Sequence, residues 1–256
     1  MATRSFTSLV ARANASVPGC PYPTIKTYIR DAAIKVCERT SAWRYQIPKF
    51  DLSPGVYEYP FSIPTNSEVH TIFAAVVNDA PLDLINMDTA IAQYPEWADL
   101  YSGEDPADLW SETDSGSLNS DAFNEEAFNG AADFTIPDAF IALASNPRAC
   151  TMVTPQRYII LPMPDAEIDY SMRMFVALKP LRDATSMDAE AFNELEDVIL
   201  HKTLEDLLVL PNKPWTNYDL ASFHSQKYGF LVGEKRARAN LGHVRGSLSV
   251  KTRVFA

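Results

Sequence analysis

The stretch at residues 23–44, PTIKTYIRDAAIKVCERTSAWR, decides the fold. Ile25, Tyr28, Ile29, Ala32, Val36 and Cys37 recur in it at three- and four-residue steps, and Trp43 closes the run. With 3.6 residues to a turn, that spacing lays one apolar stripe along a helix. Lys26, Arg30, Asp31, Lys35, Glu38 and Arg39 fill the other side, so the helix has one dry face and one wet face. A proline-studded connector, Val17-Pro-Gly-Cys-Pro-Tyr-Pro23, precedes it, and short apolar–polar alternation follows at once. The helix stands between a helical start and a β-rich middle.

At 256 residues, 46% hydrophobic and 21% charged, the chain can bury a sizeable core without metal or disulfide staples. Its longest apolar run, Ile72–Val77, is far short of a membrane span, and its start carries no charged-then-apolar secretion signal. A soluble, unsecreted chain that does not meet membrane is expected. Cys20, Cys37 and Cys150 are odd in number and lack CxxC spacing, which suggests neither a disulfide framework nor a zinc knuckle. Cys37, on the stripe, reads as a small core hydrophobe.

The net charge of −11 argues against a general nucleic-acid binder, whose affinity rests on Lys and Arg neutralising phosphates. The charge is unevenly spread. Residues 96–138 hold many acids, Glu104, Asp105, Asp108, Glu112 and Asp114 among them, and no Lys or Arg. From His224 onward Lys227, Lys235, Arg236, Arg238, Arg245, Lys251 and Arg253 face Glu234 alone.

Phe6, Leu9, Val10 and Ala13 mark a first short helix near 5–16. Strands are expected at 44–52 and 56–61, joined through Ser53-Pro54-Gly55 as a hairpin. A second hairpin is expected from 69–77 through Asn78-Asp79 to 81–85, then a short helix at 88–94. The acidic stretch 96–138 carries aromatic residues, including Trp97 and Trp110, which pure disorder usually lacks, so it reads as a long excursion off the sheet. Strands resume at 150–153 and 157–161, joined through Thr154-Pro155-Gln156 as a turn. A period-2 strand follows, with Ile168, Tyr170, Met172, Met174, Val176 and Leu178 on one face.

Ser186 is the expected cap of a helix running to Leu210, whose apolar residues cover about half of its circumference. Thr216 or Asn217 caps the next helix, with Leu220, Phe223, Tyr228, Phe230 and Leu231 inward. Past Gly233 the inward positions become Glu234 and Arg238, so this helix outruns its core and ends basic. The tail 243–256 alternates like a strand that has no partner of its own. The expected fold class is α+β, with helices from both ends packed together around an inserted antiparallel β-rich middle. Its parts are 1–44, 45–180 including the acidic loop, a C-terminal helix pair at 181–242 that packs on the N-terminal helix, and the tail 243–256.

Catalytic signatures such as GxGxxG, GxxxxGK[ST], HExxH and GxSxG are missing from the sequence. Glu194, His201 and Glu205 fall within about 40° of one another on a helix and could mimic a metal-ligand face. A solvated helix side accounts for them better, since di-metal bundles need a matching second helix. Acids in 96–138 with Trp97 or Trp110 as a sugar platform could hydrolyse glycosides, but that chemistry depends on a carboxylate separation in space. No catalytic, metal or cofactor residue is assigned.

The run VPGCPYPTIKTYIRDAAIKVCERTSAWR, passing into a strand and then LSPGVYEY, resembles the N-terminal part of head-to-tail adaptor (connector) proteins of tailed bacteriophages, short-tailed ones especially. The resemblance covers about residues 17–61. Residues 150–256 agree in organisation, with a helix, a short loop, a helix and a basic extended tail, while 96–138 has no counterpart.

The resemblance implies a structural virion protein forming a ring, typically of about twelve copies, under the portal protein. It would receive the tail or nozzle protein and let double-stranded DNA pass without sequence-specific binding. It would be made in the host cytoplasm and reside at the head–tail junction. Arg236, Arg238, Arg245, Lys251, Arg253, Val254 and Phe255 are the expected portal contacts, by charge and strand alternation. Glu104, Asp105, Asp108, Glu112 and Asp114 are the expected channel-lining or inter-subunit acids, where like charge would keep DNA from sticking. A tail-side tube or binding protein, or a carbohydrate-active enzyme, are the alternatives.

Overall fold

The computed structural model describes residues 2–95 and 145–241. Its class is α+β. The chain divides into two units, one made of residues up to 46, 63–71 and 175 onward, the other of 47–62 and 72–174. The expected insert 45–180 is thus shared between the two units, because residues 45–46, 63–71 and 175–180 go with the helices.

The first unit is helical. Its elements are β1 (Thr3–Ser5), α1 (Thr7–Ser16), α2 (Tyr22–Thr40), β10 (Ser186–Asp188), α4 (Ala189–Leu208) and α5 (Tyr218–Leu241). Pro23, in the first turn of α2, lacks only an N–H that has no helical partner there. Ser41 ends α2 at φ 49, its N–H bonded to the Cys37 carbonyl. The dry stripe of α2 is buried as read at Ile25, Ile29, Ala32, Val36 and Cys37, all fully covered, with Ala33 beside them, while Tyr28, also expected on it, is half-buried. Against it lies α4, which also packs on α1 and α5.

At the head of α4 the cap is Asp188, not the expected Ser186. The Asp188 carboxylate accepts from the N–H groups of Glu190 and Ala191 at 3.0 and 3.1 Å. Ser186 is instead drawn into β10, paired antiparallel with β1 in the register Thr3↔Asp188 and Ser5↔Ser186. This ribbon brings the first residues of the chain to the start of α4, a pairing too distant for local pattern to encode. The helix ends at Leu208, two residues before the expected Leu210.

The second unit is built on a four-stranded sheet in the order β3 (Glu58–Pro60), β8 (Arg157–Leu161), β7 (Ala149–Thr154), β6 (Asp83–Leu84). The β6–β7 pair is parallel and the other pairs are antiparallel. Helix α3 (Met87–Gln93), capped by the Asn86 side chain on the Thr89 N–H, sets Ala90 against Ala149, Ile159 and Leu161. Tyr59 stacks on Tyr158 with centroids 5.8 Å apart, and Phe61 meets the same ring at 4.7 Å.

A second four-stranded sheet has the order β2 (Arg44–Asp51), β9 (Ser171–Pro180), β4 (Ser67–Val77), β5 (Ala80–Pro81). The Asn78-Asp79 hairpin forms between β4 and β5, though its returning strand is only Ala80–Pro81, Asp83–Leu84 of the expected 81–85 pairing with β7 instead; its two turn residues stand at φ 46 and 64. Both are in the left-handed region that a two-residue hairpin needs. The expected hairpin of 44–52 with 56–61 does not form. β2 pairs with β9, and β3 pairs with β8. Gly55, at φ +71, donates its N–H to the Pro164 carbonyl, so the Ser53–Val56 turn passes the chain on to a different sheet. Ile168 lies before β9 and is exposed, whereas Met172, Met174, Val176 and Leu178 are buried.

Candidate functional site

Among the expected contact residues, the structure describes Arg236 and Arg238, at the end of α5. Arg238 bonds Glu234 one turn back at 3.0 Å, and Arg236 is exposed. Beside them is a cavity of about 360 Å³ whose lining includes Trp43, Tyr45, Glu190, Glu194 and Arg238. Arg245, Lys251, Arg253, Val254 and Phe255 lie outside the described residues, as do Glu104, Asp105, Asp108, Glu112, Asp114, Trp97 and Trp110.

The α5 face turned to its own unit is not the one expected. Ala221, His224 and Tyr228 are buried, and Leu231, Lys235 and Ala239 are half-buried, a seam with three- and four-residue steps. Phe223 and Phe230 are 49% and 71% exposed, and Glu234 and Arg238 also point outward. The expectation placed every large apolar group inside. The seam is instead set by α4, where His201 and Glu194 meet His224 and Lys235. Asn217 caps α5, its side chain accepting from the Leu220 N–H at 3.0 Å.

Glu194, His201 and Glu205 do not converge. Lys235 Nζ is 3.9 Å from Glu194, Lys202 is 3.1 Å from Glu205, and His201 meets His224. Among the described residues no group of three or more His, Cys, Asp or Glu is placed to hold a metal ion. Side-chain pairing on α4 is extensive elsewhere. Arg12 of α1 bonds Glu196 and Asp197 at 2.8 and 3.1 Å, and Arg4 also reaches Glu196 and Asn193. These partners raise the already high pKa of Arg12.

A cleft of about 590 Å³ on the same unit is lined by Lys35, Glu38, Arg39, Lys202, Glu205, Ser225, Tyr228 and Gly229. Arg39 and Lys202 lie over the Tyr228 ring, 5.9 and 5.2 Å from its centroid. Its bases are largely matched by acids, as Lys35 and Lys202 both hold Asp206. Cys37 and Cys150 are buried thiols whose pKa desolvation pushes up to about 12, so neither is an activated nucleophile.

Sequence reading missed the His201–His224 contact and the outward aromatic pair of α5. Only the helix spacing of 221, 224, 228, 231 and 235 carried a signal for the seam. The sequence matches no protein-family model and no curated protein. Among the described residues no helix is long and apolar enough to cross a membrane.

Proposed function

We propose that the chain is a structural virion protein, a head-to-tail adaptor that forms a ring between portal and tail or nozzle and continues the DNA channel. One observation carries this reading: α5 is apolar on two sides. Its inner seam packs on α4, while Tyr218, Phe223 and Phe230 are 62%, 49% and 71% exposed along its outer surface. A helix whose large apolar rings also stand outside its packed seam is suited to a second surface, since exposed apolar patches are sites of interaction. The occupant in this reading is a neighbouring copy in the ring.

The basic end of α5, with Arg236 and Arg238, supports docking on an acidic partner, because complementary charge steers encounter. The resemblance across 17–61 supplies the kind of particle. An assembly role needs no catalytic group, and the net charge of −11 suits a channel that lets DNA slide. The test is the mass of the full chain in solution, alone and mixed with a portal ring. A discrete complex of portal with about twelve copies upholds the reading. A chain that stays monomeric and ignores the portal overturns it.

A further inference from the structure

His201 on α4 and His224 on α5 face each other with their Nδ1 atoms 2.8 Å apart and their ring centroids 5.0 Å apart. The centroid separation is close to the nitrogen separation plus the two ring radii, so the rings meet head-on. Two imidazole nitrogens so placed need one proton between them, one ring donating and the other accepting. With none, the lone pairs repel. With two, the facing N–H groups clash, and once each ring is protonated at Nε2 as well the two positive charges repel.

The pair sits within the α4–α5 seam. His224 is 7% exposed, lies between buried Ala221 and Tyr228, and receives Phe223 edge-on at 5.4 Å. The charges acting on it come from three elements. Arg12 on α1 and Lys227 on α5 oppose protonation of His201, and Asp197 on α4 favours it. Asp197 is already bonded by Arg12. Of the charges of α2, Lys35, Glu38 and Arg39 line the separate cleft with Lys202 and Glu205. Desolvation is the largest cause lowering both imidazoles, and His201 adds its own repulsion at His224. A second proton therefore enters a half-buried site with little to stabilise it.

We propose that His201 and His224 form a one-proton latch joining α4 to α5, which releases when acidification puts a proton on both rings. Release frees α5 to shift the surface that carries Phe223, Phe230 and Arg236. That last consequence rests on the adaptor reading. The latch itself does not.

The test uses the full chain labelled with ¹⁵N at histidine, followed by NMR from pH 8 to 4.5, beside thermal melts of the wild type, His201→Gln and His224→Gln. At pH 7.5 one of the two rings is expected to carry its proton on Nδ1 and the other to leave Nδ1 bare. The pair should titrate in two steps, the second well below the first. Melting temperature should fall between pH 6.5 and 5 by about 2–4 °C more in the wild type than in either Gln variant, which can keep a hydrogen bond without a second charge.

Protons on Nε2 of both rings at pH 7.5, or a single shared midpoint, would overturn the latch. So would a melting profile identical in all three proteins. Should a variant fail to fold, the wild-type spectra decide alone. Portal binding at pH 7.5 and 5.5 separates the two readings: loss of binding at both pH values with the two-step titration intact sinks the adaptor and leaves the latch.

Discussion

The ring of Phe6 packs against that of Phe192, centroids 6.2 Å apart and planes inclined at 42°, and both side chains are fully buried. The contact fastens the start of the chain to α4, in line with the Phe6 N–H bonding the Thr185 carbonyl at 3.1 Å. Phe6→Ala removes the ring and leaves a cavity beside Phe192. A loss of about 3–5 kcal/mol in urea-unfolding stability is expected, and a loss below about 1 kcal/mol would contradict this packing.

Asp188 caps α4 with one carboxylate oxygen on two N–H groups. Asp188→Ala leaves both without that acceptor and removes a negative charge from the positive end of the helix. It should cost about 1 kcal/mol, while Asp188→Asn should retain most of the stability. Thermal melts of the two variants side by side check this.

Lys179 extends its Nζ to Glu38 at 2.7 Å and to Glu68 at 3.3 Å, with the lysine side chain 18% exposed. Lys179→Met keeps the aliphatic stem and discards the charge, leaving two nearby carboxylates. The sites are partly solvated, so the expected loss is on the order of 1 kcal/mol. It should shrink in 1 M salt, where screening weakens both the lost attraction and the new repulsion.

Burial holds Cys37, Cys150 and Tyr59 at about 12, above ordinary values of 9.0 for the thiols and 10.0 for the phenol. An acid whose pKa is raised in the fold keeps its proton there while the unfolded chain releases it. Stability from these groups is whole below pH 9 and is lost as pH rises from about 9 through about 12. Urea midpoints measured from pH 7 to 11 should fall above pH 9. A flat profile would show that these groups are not held protonated by the fold.

Phe223 and Phe230 stand outside the seam that α5 makes with α4, so replacing them with Ser should leave the fold within about 0.5 kcal/mol of the wild type. The same double variant should lose self-association in sedimentation experiments. Unchanged association would place the ring contacts elsewhere and deprive the adaptor reading of its main support.

The period of the apolar residues was the readable part of this chain. In α2 the residues at three- and four-residue steps are buried except Tyr28, which is half-buried, and in β9 Met172, Met174, Val176 and Leu178 alternate inward. The Asn78-Asp79 and Thr154–Gln156 turns were also legible, since turn chemistry acts over a few residues. Partner choice was not. The 53–56 turn looks local, yet the strands on its two sides join different sheets, because Tyr59 and Phe61 find Tyr158 about a hundred residues away. Ser186 has cap chemistry as good as that of Asp188, and only pairing with β1 decides between them.

What the sequence determined by itself is the run of the main helices and most of the strands and, in α2 and β9, the side that shuns water, since side-chain chemistry and the two backbone periods are local properties. The tertiary structure alone decided which elements meet, because contacts between distant segments depend on the shape and polarity of both partners at once. It turned Phe223 and Phe230 outward, set Lys179 between two acids, and brought His201 and His224 to a 2.8 Å contact. Neither helix period contains that contact: it exists because α4 offers α5 a seam on which a polar ring finds its partner.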